Sequence, residues 1–166
     1  VDLNRLTRHL FSASSCGLCG KASIDAITSL HEPVPDGPSF PESSLLEAPS
    51  FLRSAQATFE KTGGLHASGI FSREGSLMAL REDVGRHNAV DKVIGNRLRH
   101  SAMDLDGSIL VVSSRLSFDL VQKSLMANLS CIVGVGAASD LAHSTAHAHG
   151  LHLFSFTRAD STNYHL

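Results

Sequence analysis

The chain has 166 residues, a formal net charge of −2, 42% apolar residues and 18% charged residues. These values are typical of one globular domain and exclude a disordered chain. Without a basic excess, general nucleic-acid binding is disfavoured, so any anionic ligand must be held by a local cluster of Arg and Lys. The longest purely aliphatic run, Ile109–Val112, is far shorter than the roughly 20 residues of a membrane span. We therefore expect no nucleic-acid partner and no membrane span.

Cysteine usage points to a reducing compartment. Three cysteines are an odd number and argue against a disulfide framework. No basic-then-apolar leader opens the chain, and we expect a cytoplasmic protein. Cys16 and Cys19 form a C-x-x-C pair in a glycine-rich loop, next to Lys21 and just before a predicted helix, where the pKa of a thiol falls.

This thiol pair has several interpretations. It could exchange disulfides, carry sulfur as a persulfide, provide half of a zinc site, or have no role. Zinc needs about four ligands, and no second C-x-x-C follows. His143 and His147 are four residues apart but lack the Glu of an H-E-x-x-H motif. We therefore expect no metal site.

The first part of the chain predicts helices and a linker. Residues 22–30 have helical spacing, and the four prolines of residues 31–41 indicate a loop. Residues 43–61 are predicted to be helical with an interruption near Pro49, and Gly63 ends that helix. We expect residues 1–41 to form an N-terminal segment and residues 42–166 to form the core domain.

The rest alternates short apolar runs with helical patterns. Residues 65–72 and 76–81 predict a β-hairpin. The remaining predicted strands are residues 109–113, 131–135 and 151–156, and the remaining predicted helices are residues 88–98, 118–129 and 140–149. Cys131 lies in a predicted buried strand and is assigned to the core. This alternation predicts a three-layer α/β/α domain with a mixed five-stranded sheet.

Ligands of such sheets bind beyond the carboxyl ends of the strands, and the polar segments of this chain follow predicted strands. The turn at Gly63 and Gly64 suits a phosphate or a flat ring, or is only a helix C-cap. Residues 81–92 are the densest polar stretch. They either clamp anionic groups and read a base, or form exposed ion pairs in which Asp83 caps a helix. Ser114 and Arg115 either bind phosphate at a helix N-terminus or belong to a simple N-cap.

Taken together, these segments resemble the formate dehydrogenase accessory sulfurtransferase family (FdhD/NarQ). The resemblance covers C-G-L-C-G-K from Cys16, T-G-G-L-H-A from Thr62, R-E-D-V-G-R-H-N-A-V-D-K from Arg81, S-R-L-S from Ser114 and L-V-Q-K from Leu120. The family usually carries an N-terminal domain before its Cys motif, whereas fifteen residues precede Cys16 here. The chain is then either the C-terminal part of a longer family protein or a reduced member.

The resemblance implies a function. Such proteins accept persulfide sulfur from a cysteine desulfurase on the C-x-x-C. They transfer it to the molybdenum or tungsten of a bis-guanine-dinucleotide pterin cofactor for formate dehydrogenase, and GDP is an expected mimic of that cofactor. The resemblance also implies a homodimer, a cytidine-deaminase-like core and sulfurtransferase activity. The alternative is a nucleotide- or pterin-binding module whose thiol pair is redox-active or structural.

Site residues follow from the same resemblance. Cys16 and Cys19 are the catalytic thiols, with Cys16 favoured as the carrier although Cys19 lies nearer the predicted helix. The expected cofactor-binding residues are Thr62, Gly63, Gly64, His66, Arg81, Glu82, Asp83, Arg86, His87, Asn88, Ser114, Arg115, Lys123, Phe156, Thr157, Arg158, Ala159, Asp160 and Ser161.

Overall fold

The computed structural model describes residues 39–100 and 105–165. These ranges contain five helices: α1 (Glu42–Ser54), α2 (Ala57–Thr62), α3 (Arg86–His100), α4 (Phe118–Met126) and α5 (Asp140–Ala148). They contain six strands: β1 (His66–Phe71), β2 (Leu77–Asp83), β3 (Ile109–Val112), β4 (Cys131–Gly134), β5 (His152–Ser155) and β6 (Asn163–His165). The predicted helix at residues 22–30 and the thiols Cys16 and Cys19 lie outside the described residues. The predicted boundary at residue 41 stays a prediction, because most of the segment before it also lies outside them.

The strands form one mixed sheet in the order β2-β1-β3-β4-β5-β6. β3, β4 and β5 are parallel, whereas β1 runs antiparallel to both β2 and β3, and β6 runs antiparallel to β5. The predicted hairpin is confirmed by the antiparallel pairing of β1 with β2, in which His66 faces Asp83. β2, β3, β4 and β5 therefore all end at one edge of the sheet, which we call the carboxyl edge.

The predicted three layers are present in the described part of the chain. On one face, α1 packs Leu52 against a cluster that includes Phe71 and Val111. On the other face, α3, α4 and α5 bury a second cluster that includes Val90 and Leu120. Alternate residues of the β-branched strand β3 enter opposite clusters, which is why its burial is complete along its length. None of the described helices is long and apolar enough to cross a membrane.

The sheet has one strand more than the five predicted. β6 contains Asn163, Tyr164 and His165, too short and too polar for an alternating pattern to reveal. Its side chains hold it to β5: the Tyr164 ring stacks on Phe154 with 4.7 Å between centroids, and His165 Nε2 lies 2.7 Å from the Ser155 hydroxyl. Tertiary contacts, rather than local propensity, make this segment a strand.

Pro49 does not interrupt the helix, contrary to the prediction. Pro49 lies inside α1 and is buried with Leu45, Ala48 and Leu52, so packing against the sheet outweighs the hydrogen bond that proline cannot donate. The break comes at Gln56, whose ψ of 76° is not helical and which begins α2.

β2 also runs further than predicted, to Asp83 instead of residue 81. Arg81, Glu82 and Asp83 pair with residues of β1, so they belong to the strand and do not follow it. Charged residues are compatible with a strand at this position because β2 lies at the edge of the sheet, where one side of the strand is open to solvent.

Candidate functional site

A groove lies along the carboxyl edge on the α1 side of the sheet. It consists of two adjoining cavities with volumes of about 500 Å³ and about 880 Å³. Both cavities are lined by Pro49 and Arg53 of α1, by Gln56, and by Val135 after β4. We call these two cavities together the α1 groove.

Two of the predicted segments meet in this groove. Gly63, Gly64 and His66 line the smaller cavity, and Thr157, Arg158 and Ala159 line the larger one. The turn at Gly63 forms because its φ of +65° suits glycine, and its N–H donates to the Phe59 carbonyl at 2.7 Å to end α2. The C-cap interpretation of this turn is therefore correct, and the same turn forms part of the cavity wall.

The loop after β5 is held by backbone contacts. Arg158 Nη1 donates to the Val135 carbonyl at 2.7 Å and to the Thr157 carbonyl at 2.9 Å. Its backbone N–H donates to the Ser161 carbonyl, and the Ser161 hydroxyl donates to Asp160. The guanidinium is thus fixed in the wall of the larger cavity, and its other nitrogens are available to an anion.

Phe156 precedes this loop in an unusual conformation. Its φ is +53°, a region that favours glycine, and 48% of the residue is exposed. Thr157 next to it is fully buried, and its hydroxyl lies 2.8 Å from that of Thr162. The loop therefore presents the Phe156 ring to solvent at the cost of backbone strain.

Glu82 has a structural partner. Its carboxylate accepts the N–H of Thr58 at 2.9 Å and that of Phe59 at 2.7 Å, which caps the N-terminus of α2. Burial alone would raise the pKa of Glu82, but these hydrogen bonds, with help from the side chains of Thr58 and Gln56, hold it below its ordinary value. Glu82 thereby ties the edge strand to the helix that borders the groove.

Several groove residues were missed by the sequence analysis, namely Pro49, Leu52, Arg53, Gln56, Phe59, Leu65 and Val135. Arg53 and Gln56 lie in the predicted helix of residues 43–61, after its predicted interruption near Pro49. The sequence gives little indication that these residues belong to a site, because only the helix break at Gln56 turns their side chains toward the carboxyl edge. Ser113, which begins the polar segment after β3, lines the smaller cavity, and its hydroxyl accepts the Ala67 N–H at 2.8 Å.

A second group of predicted residues forms an ion-pair cluster between β2, α3 and α4. Asp83 accepts hydrogen bonds from Lys92, from the Gly85 N–H at 2.9 Å and from the Asn88 amide at 3.1 Å. The hydrogen bond from Lys92, followed by those from Gly85 and Asn88, lowers the pKa of Asp83 to about 2. Asp83 is therefore ionised and organises the turn into α3.

The same cluster links α3 to α4. His87 Nε2 lies 3.5 Å from Asp119, and Lys123 pairs with Asp91. Burial, and then the charge of Arg86, lower the pKa of His87 despite the opposing effect of Asp119. His87 is thus predominantly neutral at neutral pH.

The other predicted residues take separate positions. Thr62 donates its hydroxyl to the Thr58 carbonyl, and Arg81 bonds to the Leu80 carbonyl on the edge strand. Ser114 is buried and donates to the Arg115 carbonyl. The predicted binding residues are therefore divided among the α1 groove, the ion-pair cluster and these separate positions, and are not gathered in a single cavity. Among the residues that the structure describes, no three His, Cys, Asp or Glu side chains are grouped to hold a metal.

Comparison with known proteins places the chain in a family. The FdhD/NarQ family model matches residues 1–165. "Sulfur carrier protein FdhD" of Mycobacterium tuberculosis is 47% identical over 160 residues, covering 95% of this chain and 58% of that protein. The Streptomyces coelicolor protein of the same name is 46% identical over 162 residues, covering 95% of this chain and 57% of that protein. This chain thus spans less than two thirds of the length of these relatives.

A solved structure agrees with the fold. A candidate formate dehydrogenase accessory protein from Desulfotalea psychrophila superposes with a TM-score of 0.68 at 29% identity, covering 83% of this chain and 58% of that one. The sequence motifs, the mixed six-stranded sheet and these matches agree, and this chain belongs to the FdhD/NarQ family.

Proposed function

We propose that this chain carries sulfur on its C-x-x-C pair and delivers it to a pterin cofactor held along the carboxyl edge. Cys16 accepts the outer sulfur of a cysteine desulfurase persulfide: the Cys16 thiolate attacks that sulfur, the donor S–S bond breaks, and the desulfurase thiolate leaves. Cys19 then attacks Cys16, which forms a disulfide and releases the carried sulfur as sulfide. The acceptor is the molybdenum or tungsten of a bis-guanine-dinucleotide cofactor destined for formate dehydrogenase.

The observation that carries this proposal is the α1 groove. It brings the turn at Gly63 and the loop at Arg158, about 95 positions apart in the chain, to the same edge of the sheet. The turn belongs to the T-G-G-L-H-A motif shared with the family, and the loop is one that the resemblance assigns to the cofactor. Arg158, held by two backbone carbonyls, offers its remaining guanidinium nitrogens to an anionic ligand. The names of the relatives, sulfur carrier proteins, support the sulfur chemistry.

The proposal extends to the setting of the reaction. The chain acts as a sulfurtransferase, works in the cytoplasm with a cysteine desulfurase and a formate dehydrogenase as partners, and forms a homodimer. Size-exclusion chromatography with light scattering tests the dimer, and affinity capture with the purified desulfurase tests the first partnership.

Mass spectrometry tests the sulfur step directly. The chain is incubated with a cysteine desulfurase and cysteine, and the intact protein and the peptide of residues 12–21 are weighed. One added sulfur atom should appear on Cys16, disappear on reduction, and be absent from the Cys16→Ser/Cys19→Ser variant. Sulfur found on Cys19 alone would reverse the roles assigned to the two thiols, making Cys19 the carrier.

The alternative is a nucleotide- or pterin-binding module with a structural or redox-active thiol pair. The groove supports ligand binding in either case, so the thiols separate the two functions. A folded chain that gains no sulfur on either cysteine, also when extended to the length of its relatives, would contradict sulfur transfer and leave the binding module.

A further inference from the structure

Gln56 is buried in the wall of the α1 groove with part of its hydrogen-bonding capacity unused. Only 3% of the residue is exposed, and it lines both cavities. Its backbone is fully engaged, since its N–H donates to the Arg53 carbonyl and its own carbonyl accepts the Glu60 N–H. Its side-chain Nε2 is buried and has no hydrogen-bond partner among the described residues.

Glu82 does not satisfy this amide. The Gln56 amide faces Glu82 and lowers the pKa of that carboxyl as a donor does, but Nε2 makes no hydrogen bond of normal length and angle to it. Both carboxylate oxygens already accept N–H groups of α2. A buried donor without an acceptor destabilises the folded protein, so an acceptor supplied by a ligand would stabilise it.

The surroundings of Gln56 favour a neutral, flat acceptor over a phosphate. The negative charge of Glu82 lies beside the amide, and Arg53 is already paired with Glu60 at 3.1 Å and placed 4.4 Å over the Phe59 ring. Leu52 and Phe59 add apolar walls to the smaller cavity. Charged groups of a ligand fit better near Arg158, in the larger cavity.

We propose that Gln56 is a specificity-determining residue that reads the lactam edge of a bicyclic heterocycle in the smaller cavity. The carboxamide offers an N–H donor and a C=O acceptor side by side. Because the Glu82 carboxylate would repel Oε1, the amide keeps Nε2 on the Glu82 side and does not rotate to match an amino group and a ring nitrogen. In this orientation the pair matches the ring C=O and the adjacent ring N–H of a lactam. Guanine and pterin both present this edge, whereas adenine and diamino heterocycles replace the ring C=O by an amino group. The inference rests on the proposed function for the class of ligand and adds the residue that selects it.

Calorimetric titration of the 166-residue chain tests this assignment with matched ligand pairs. One pair is GDP and diaminopurine riboside diphosphate, and the other is pterin carboxylate and its diamino analogue. A bidentate match predicts that the lactam member of at least one pair binds about 10- to 100-fold tighter. The first pair identifies guanine as the ligand group, and the second identifies pterin.

Variants connect this preference to Gln56. In Gln56→Leu the preference should fall to within about threefold, while Gln122→Leu, which changes the same residue type on α4 outside both cavities, should keep it. Lack of preference in the unmodified chain, absence of binding, or an unchanged preference in folded Gln56→Leu would each overturn the inference. Gln56→Met replaces Gln56→Leu if the latter does not fold, and the unmodified chain alone still decides the first two outcomes.

The proposed function is judged separately. Sulfur carried on Cys16 without any lactam preference would refute the role of Gln56 and leave the sulfur carrier. Lactam preference dependent on Gln56 without sulfur on either thiol would support the role of Gln56 and refute the sulfur carrier.

Discussion

Phe59 and Glu82 join two elements that are distant in sequence: the Phe59 N–H at the start of α2 donates to the Glu82 carboxylate on β2 at 2.7 Å. With the neighbouring bond from Thr58, this contact satisfies two of the N–H groups that a helix start leaves open. It also fixes the position of the helix that carries Gln56 at its beginning and Gly63 at its end. Glu82, a charged residue of the family motif, thereby helps to position the helix that borders the groove.

Glu82→Ala should destabilise the protein by about 1 kcal/mol, the usual cost of losing a helix cap. Glu82→Gln should cost less, because one side-chain oxygen can still accept a backbone N–H. Urea unfolding measures both variants, with Glu47→Ala on the exposed side of α1 as the control. Equal stabilities of Glu82→Ala and the control would show that the cap contributes nothing.

Asp83 should make stability depend on acid pH. Because the pKa of Asp83 is about 2 in the folded state and 3.8 in the reference state, its contribution is present above pH 3.8 and is lost as pH falls toward 2. The stability difference between the unmodified chain and Asp83→Asn should therefore be largest near neutral pH and disappear near pH 2. Urea unfolding at several pH values checks this, and a carboxyl that titrates near 3.8 in NMR would contradict it.

Gly134 and Gly95 should respond oppositely to alanine. A Cβ at Gly134, at the end of β4, would lie 2.6 Å from Leu116 Cγ, and overpacking of this kind costs about 1–3 kcal/mol. Gly95 lies inside α3 with no atom within 4 Å of a Cβ, so Gly95→Ala should stabilise by up to about 1 kcal/mol through helix propensity. Thermal unfolding of the two variants measures the opposite signs, and a stable Gly134→Ala would show that Leu116 moves freely.

Phe156 should reveal the strain in the loop after β5. At a φ of +53°, Phe156→Gly should be more stable than Phe156→Ala by about 1 kcal/mol, the reverse of the order in a helix. Both variants remove the ring, so the comparison isolates the backbone. If the ring contacts the ligand, both should also lose GDP affinity to the same extent, and calorimetry measures this second effect.

Arg158 should contribute to binding of an anionic ligand. At one hundred times its Kd, GDP adds about 2.7 kcal/mol to the stability of the unmodified chain. Arg158→Ala should lose most of the accompanying thermal shift, and Arg86→Ala should do the same if the ion-pair cluster also contacts the nucleotide. Arg73→Ala, at the hairpin turn, should keep the full shift. A GDP shift that survives Arg158→Ala would remove this residue from the site.

Local patterns in the sequence determined much of this fold. The spacing of apolar residues predicts β1 to β5 and the helices between them. An element that buries one face needs apolar residues at regular intervals, whichever elements it packs against. Gly63 indicates the end of α2 because few residues other than glycine adopt its positive φ. The long motif from Arg81 was sufficient to indicate the family, which the family match confirms.

Only the tertiary structure decided which polar groups meet. Glu82 and Asp83 are adjacent in sequence, yet one caps α2 and the other pairs with Lys92 on α3, since side chains alternate between the two faces of a strand. The position of β6 and the burial of Gln56 likewise depend on contacts with distant elements. Hydrophobic periodicity is a local property that a sequence displays directly, whereas the partner of a polar side chain depends on how separate elements pack.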